Sequence, residues 1–120
     1  IRAQFYKNGI EFFTPEKFSQ QIGYMCRDAG HIIEPHVHNL NPRNVEITQE
    51  TLFVKSGSVR VDLYRDDKTF VTSKVLSTGD IILLASGGHG IAFLAQSEII
   101  EVKQGPYGGD TDKVRFEGVR

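Results

Sequence analysis

The sequence predicts an all-β protein, a sandwich or barrel of short antiparallel strands. Three observations carry that prediction. From Gln21 onward, turn signals rich in Gly, Asp and Ser recur at intervals of roughly 8–12 residues. Between them lie short runs in which apolar and polar residues alternate, the period of a strand with one buried face. The 3.6-residue apolar spacing of an amphipathic helix is absent from the same stretch.

Residues 1–21 stand outside the pattern as an N-terminal arm. Phe5, Tyr6, Phe12, Phe13 and Phe18 make the arm aromatic, an unfavourable surface unless something covers it. It is therefore expected to lie over a sheet or to meet a second subunit in a homodimer. Thr14-Pro15 suits the cap and first position of one short turn running to Gln21.

Residues 22–105 form the expected body. Ile22, Tyr24 and Cys26 alternate with Gly23, Met25 and Arg27, and the turn Asp28-Ala29-Gly30 follows. Thr51 to Lys55 and Val59 to Tyr64 flank Ser56-Gly57 and read as a hairpin, its second strand placing Val59, Val61 and Leu63 on one face. After the polar turn Arg65-Asp66-Asp67-Lys68 come strands at Phe70 to Val75, Ile81 to Leu84, Ile91 to Leu94 and Ile99 to Lys103. Residues 106–120 are a glycine-rich tail, mobile by composition unless Tyr107, Val114 or Phe116 pins it to the body.

A chain of 120 residues makes one domain. Its 14 basic and 15 acidic residues, a formal charge of −1, leave no basic footprint for nucleic acid or an anionic membrane. No run approaches the roughly 18 apolar residues of a membrane span, and no signal peptide is expected before the fold. Cys26 is the single cysteine and cannot close an internal disulfide. A cytoplasmic protein is the expectation.

The chemistry concentrates between Gly30 and Gly57, which holds His31, His36, His38 and Glu50. Two apart on an extended strand, His36 and His38 project to the same side with Val37 opposite, so both imidazoles can converge on one ion. Pro35 argues against a helix there. His31 sits in the preceding turn and is expected to be exposed.

Gly30, His36, His38, Glu50 and Gly57 fall in the pattern G-x5-H-x-H, a gap, then E-x6-G, which resembles the first signature of the cupin superfamily. The gap is longer than usual in that family, residues 39–49, and reads as a loop between two strands. Glu46 is a rival for the carboxylate role, but only Glu50 keeps the six-residue distance to Gly57. The run Gly79 to His89 is similar to the second signature, G-x5-P-x-G-x2-H-x3-N, with Ala85 in place of the proline, one residue missing before His89, and Phe93 at the asparagine.

The resemblance implies a double-stranded β-helix, or jelly-roll barrel, with His36, His38, Glu50 and His89 as ligands of one divalent ion. Three imidazoles and a carboxylate suit Fe, Mn, Ni, Co or Zn. Such an ion polarises a carbonyl or activates a bound water. The tail GPY…DK…RF is similar to the ends of small stand-alone cupins of the sugar-isomerase branch, associated with carbohydrate metabolism and polysaccharide biosynthesis. Glu34, on the His36 and His38 face by parity, with Arg60, Tyr64 and Lys103, are the candidate catalytic groups. The glycines of Ser86-Gly87-Gly88-His89-Gly90 are read as backbone room beside the metal; the run lacks the lysine of a phosphate-binding P-loop. Three functions follow: a metal-dependent isomerase, epimerase or dioxygenase acting on a sugar-like molecule, a module that binds such a ligand without turnover, and a scaffold with a vestigial site.

Overall fold

A computed structural model describes residues 1–119. Among them the regular structure is β throughout, apart from a single 3-10 turn at Gly109–Asp112. No helix among the described residues is long and apolar enough to cross a membrane. The chain divides into two compact units, one formed by Tyr6–Glu46, the other by Ile1–Phe5 with residues 47 onward.

In the Tyr6–Glu46 unit, β1 (Gly9–Phe12) pairs antiparallel with β2 (Gly23–Cys26). The strand β1 lies inside the aromatic arm, where the sequence suggested none. The Phe12 ring takes the space over Gly23, where a Cβ would approach it to 2.8 Å. Tyr24 and Cys26 are half-buried and Gly23 and Met25 exposed, the alternation the sequence predicts. Between the strands the chain makes one turn, closed by the Phe18 N–H on the Pro15 carbonyl at 3.1 Å. Thr14 caps no helix; its hydroxyl accepts the Ile22 N–H at 3.2 Å. The Gln21 amide donates to the carbonyls of Pro15 and Phe18.

Residues 31–46 form no strand and are exposed. The sequence placed a strand at His36 and His38, so this is a correction. A strand exists only where a neighbour takes its N–H and C=O groups, and residues 31–46 have no ladder partner among the described residues.

The other unit holds six strands in two antiparallel sheets. They are β3 (Glu50–Ser56), β4 (Ser58–Tyr64), β5 (Phe70–Ser77), β6 (Ile81–Leu84), β7 (Gly88–Phe93) and β8 (Glu98–Lys103). One sheet has the order β6-β3-β8 and the other β5-β4-β7. Leu52, Val54 and Leu84 of the first sheet and Val59, Val61 and Leu76 of the second form one buried cluster, with Leu63, Ile82 and Ile99 packed against it. These are the inward positions that period-2 alternation assigns, and the arrangement is that of a β-sandwich.

The expected hairpin across Ser56-Gly57 is not one. β3 bonds to β6 and β8, and β4 to β5 and β7, so the turn carries the chain from one sheet to the other. Leu52 and Val54 therefore meet Val59 and Val61 through the core instead of side by side. Gly57 has φ +93°, and a side chain there would strike Ser97 and the Gln96 carbonyl; glycine meets both demands.

The β6 edge is tied down by the first residues of the chain. The Ile81 N–H donates to the Ile1 carbonyl at 2.9 Å. Asp80, 5% exposed, accepts from the Ala3 N–H at 2.8 Å, the Ser77 N–H at 2.9 Å and the Arg2 guanidinium at 2.9 Å. Burial works to raise the Asp80 pKa, but these donors together hold the carboxyl below its ordinary value.

Candidate metal centre and adjoining cavity

Glu50 opens β3, opposite Leu84 on β6 and Lys103 on β8. It shares the inward face of Leu52 and Val54. His89 stands on β7 opposite Leu63 of β4, and antiparallel partners project to the same side, so His89 also faces inward. The two sheets thus deliver one side chain each to the same end of the core. His89 Nε2 lies 3.1 Å from Glu50 Oε2, and the Glu50 side chain is 13% exposed. Lys103 Nζ lies 3.9 Å from Glu50 and 3.7 Å from Glu101.

A cavity of 650 Å³ adjoins the pair, lined among others by Glu50, His89, Arg60, Tyr64 and Phe116. Its wall is more structural than the sequence suggests. Arg60 donates to both oxygens of Asp62, at 2.8 and 3.0 Å, and the Ser73 hydroxyl adds a third bond. The hydrogen bond to Asp62 raises the Arg60 pKa, while those from Arg60 and Ser73 lower that of Asp62. Both groups stay charged and engaged with each other. The Tyr64 hydroxyl accepts the Val119 N–H at 2.9 Å, and its ring meets that of Phe116 edge-on at 5.0 Å.

Phe116 pins the tail together with the Val119 N–H and with Asp112, which accepts from the Thr48 hydroxyl at 3.2 Å; Tyr107 is exposed with Lys103 Nζ 5.9 Å over its ring, and Val114 is exposed. The loop glycines serve the same contact. A side chain at Gly87, φ +77°, would strike the Tyr64 carbonyl, and one at Gly88 would come within 3.1 Å of the Phe116 ring. Asp62 and Ser73 escaped the sequence reading, because on alternation alone they look like solvent-facing polar positions. The i, i+2 spacing of Arg60 and Asp62 on one face of a strand was the available signal.

His36 and His38 lie within the Tyr6–Glu46 unit. Their ring centroids are 5.2 Å apart, inclined at 74°, although no strand forms there. His36 Nδ1 is 2.9 Å from the Glu34 carbonyl. That bond places the ring proton on Nδ1 and leaves Nε2 as the acceptor, the orientation in which histidine binds metals. Glu34 contributes this backbone oxygen, and its side chain is exposed. Glu46 is exposed, beside the Asn44 amide at 3.4 Å. His31 is exposed, as expected, and its N–H closes a turn on Asp28.

The donors fit a borderline divalent ion by type. A carboxylate oxygen and an imidazole nitrogen converge in one unit, and two imidazoles in the other. No group of three or more His, Cys, Asp or Glu side chains suited to hold an ion occurs among the described residues. The four expected ligands are thus brought together as two pairs. Comparison with family models, with curated proteins and with solved structures finds no match.

Proposed function

We propose that this is a metal-binding protein of the cupin type, holding one divalent transition ion through His36, His38, Glu50 and His89. The reading takes as its substrate a small oxygenated molecule such as a sugar derivative. The observation that carries it is the 3.1 Å approach of His89 to Glu50, since the two come from separate motifs and opposite sheets. The strand orders β6-β3-β8 and β5-β4-β7, in which β3 and β4 follow one another yet lie in different sheets, support the jelly-roll form of the sandwich. An ion bound there supplies Lewis acidity, polarising a substrate carbonyl or hydroxyl. Of the chain's own groups, Lys103 is the cation beside Glu50 and would orient an anionic or hydroxylated substrate.

A binding module without turnover is the second reading, favoured by the wall of the cavity. Arg60 is bonded to both oxygens of Asp62, which holds it as part of the wall, and the Tyr64 hydroxyl accepts the Val119 N–H of the tail. Elemental analysis of protein purified without added metal or a histidine tag tests the metal. About one Fe, Mn, Ni, Co or Zn per chain, lost in Glu50→Ala and in His89→Ala, is expected. Less than about a tenth of an equivalent, unchanged when metal is supplied, rejects the site. With metal present, turnover in screens of sugar isomerisation and dioxygen uptake separates enzyme from binding module.

A further inference from the structure

The cavity beside Glu50 has a second wall that the metal reading does not use. Every described residue lining it belongs to the sandwich unit. Side chains alternate along β7, so Gly88, Gly90 and Ala92 lie on the face opposite to His89. In register they stand beside Tyr64, Asp62 and Arg60 of β4, and residues paired across strands share a face. This outer face of the β5-β4-β7 sheet thus sets two glycines and an alanine against a row of large polar side chains. A Cβ at Gly90 would meet nothing within 4 Å. The small row is the floor of a recess.

The tail forms the facing side. Residues 112–116 line the cavity and are anchored at both ends, Asp112 by the Thr48 hydroxyl at 3.2 Å and Phe116 by the Tyr64 ring at 5.0 Å. Between the anchors stand Lys113 and Arg115, both exposed. The carboxylates of the lining are engaged with other groups. Glu50 meets His89 at 3.1 Å and Lys103 at 3.9 Å, Asp62 accepts from Arg60 and Ser73, and Asp112 accepts from Thr48. Arg60 bonds Asp62 through Nε and Nη2, which leaves the Nη1 donors of its guanidinium. Two cations and one fixed guanidinium edge therefore line the recess.

We infer that this recess binds the dianionic phosphoryl group of a phosphorylated small molecule, held by Lys113, Arg115 and the Nη1 edge of Arg60, with the rest of the ligand extending along the cavity toward Glu50 and His89. Charge sets the class. Two cations that no described carboxylate of the lining engages match a dianion, whereas a single carboxylate answers only one of them. The floor agrees, because glycine lets a ligand approach the backbone closely. A volume of 650 Å³ is that of a small-molecule site. The inference rests on the proposed function only for the chemistry at the Glu50 end; the phosphoryl recess needs no ion.

Glycerol 3-phosphate tests it, titrated into metal-free full-length protein and followed through the backbone amide signals by NMR, with glycerol and glycerate titrated in parallel. The signals of Gly88, Gly90, Lys113 and Arg115 are expected to shift with the phosphate ester and far less with the other two. Lys113→Ala combined with Arg115→Ala should weaken binding at least about tenfold. Gly90→Leu should do the same, since it fills the recess without changing its charge.

No response to the ester, an equal response to glycerol or glycerate, or an affinity unchanged in either variant overturns the recess. A response that appears only after Zn(II) is added also overturns it and assigns the phosphate to the ion. A metal-free response in protein that binds no metal leaves the recess standing and rejects the metal reading alone.

Discussion

Glu50 and His89 are far apart in the sequence and touch; His36 and His38 are nearly adjacent and sit on chain that has no regular structure. The first pair is placed by ladders: β3 is held between β6 and β8, β7 is bonded along β4, and Leu52, Val54, Val59 and Val61 fix the two sheets against each other. The second pair sits on chain with no regular structure, where the rings approach to 5.2 Å and His36 Nδ1 contacts the Glu34 carbonyl. The difference separates two ways of placing a pair of side chains. One draws its precision from a core, and the other has no core behind it.

The largest effects should fall where the ladders and the core do the holding. Leu52→Ala removes a side chain that is 3% exposed and should lower the unfolding free energy by about 2–5 kcal/mol in a urea titration. It should also loosen Glu50, two residues away on the same face. A smaller loss would mean that the core is not what positions that carboxylate.

Asp80 comes next. Asp80→Ala leaves the N–H groups of Ala3 and Ser77 without their acceptor and should cost about 1–3 kcal/mol. The sign with pH follows from the lowered pKa. A carboxyl that is more acidic folded than unfolded stabilises fully above its unfolded value, near 3.9, and that stability disappears as pH falls through the lower folded value. The wild type should therefore lose stability below about pH 4, and Asp80→Asn should lose less of it over the same range. Parallel acid titrations by circular dichroism would show whether the two slopes differ.

Phe116→Ala should lose the about 0.5–1.5 kcal/mol of its edge-on contact with Tyr64 in addition to the apolar area the half-buried ring covers, and open residues 113–119 to protease. Equal cleavage of wild type and variant would show that the tail is not pinned there. The smallest effect belongs to His31. His31→Ala should change stability by less than about 0.5 kcal/mol and leave metal retention intact, whereas His36→Ala and His38→Ala should abolish retention. The reverse pattern would reassign the ligands.

Much of the sandwich could be read from residues such as Val59, Val61 and Leu63, whose alternation reports a buried face directly. The sheet change at Ser56-Gly57 could not, since a two-residue turn containing glycine serves a hairpin or a crossing between sheets equally well. Only the long-range pairing of β3 with β8 decides between them. β7 begins at Gly88, earlier than the apolar run at Ile91 implies, because glycines that make room for Phe116 and Tyr64 look like loop. Asp80 read as an ordinary turn residue, for its donors Arg2 and Ala3 lie at the other end of the chain. In the site, the choice of Glu50 over Glu46 rested on spacing to Gly57, and Glu50 is the one that meets a histidine. The strand expected at His36 and His38 was read from parity, which fixes the direction of side chains but says nothing of a neighbour to bond to.

The proposed site joins the Glu50 and His89 pair to His36 and His38. Titration of metal-free protein with Zn(II), followed through the histidine ring signals by NMR, tests it most directly. The signals of His36, His38 and His89 are expected to shift together up to about one equivalent while that of His31 keeps its position. A shift of comparable size at His31, or at His36 and His38 with His89 unaffected, would contradict it.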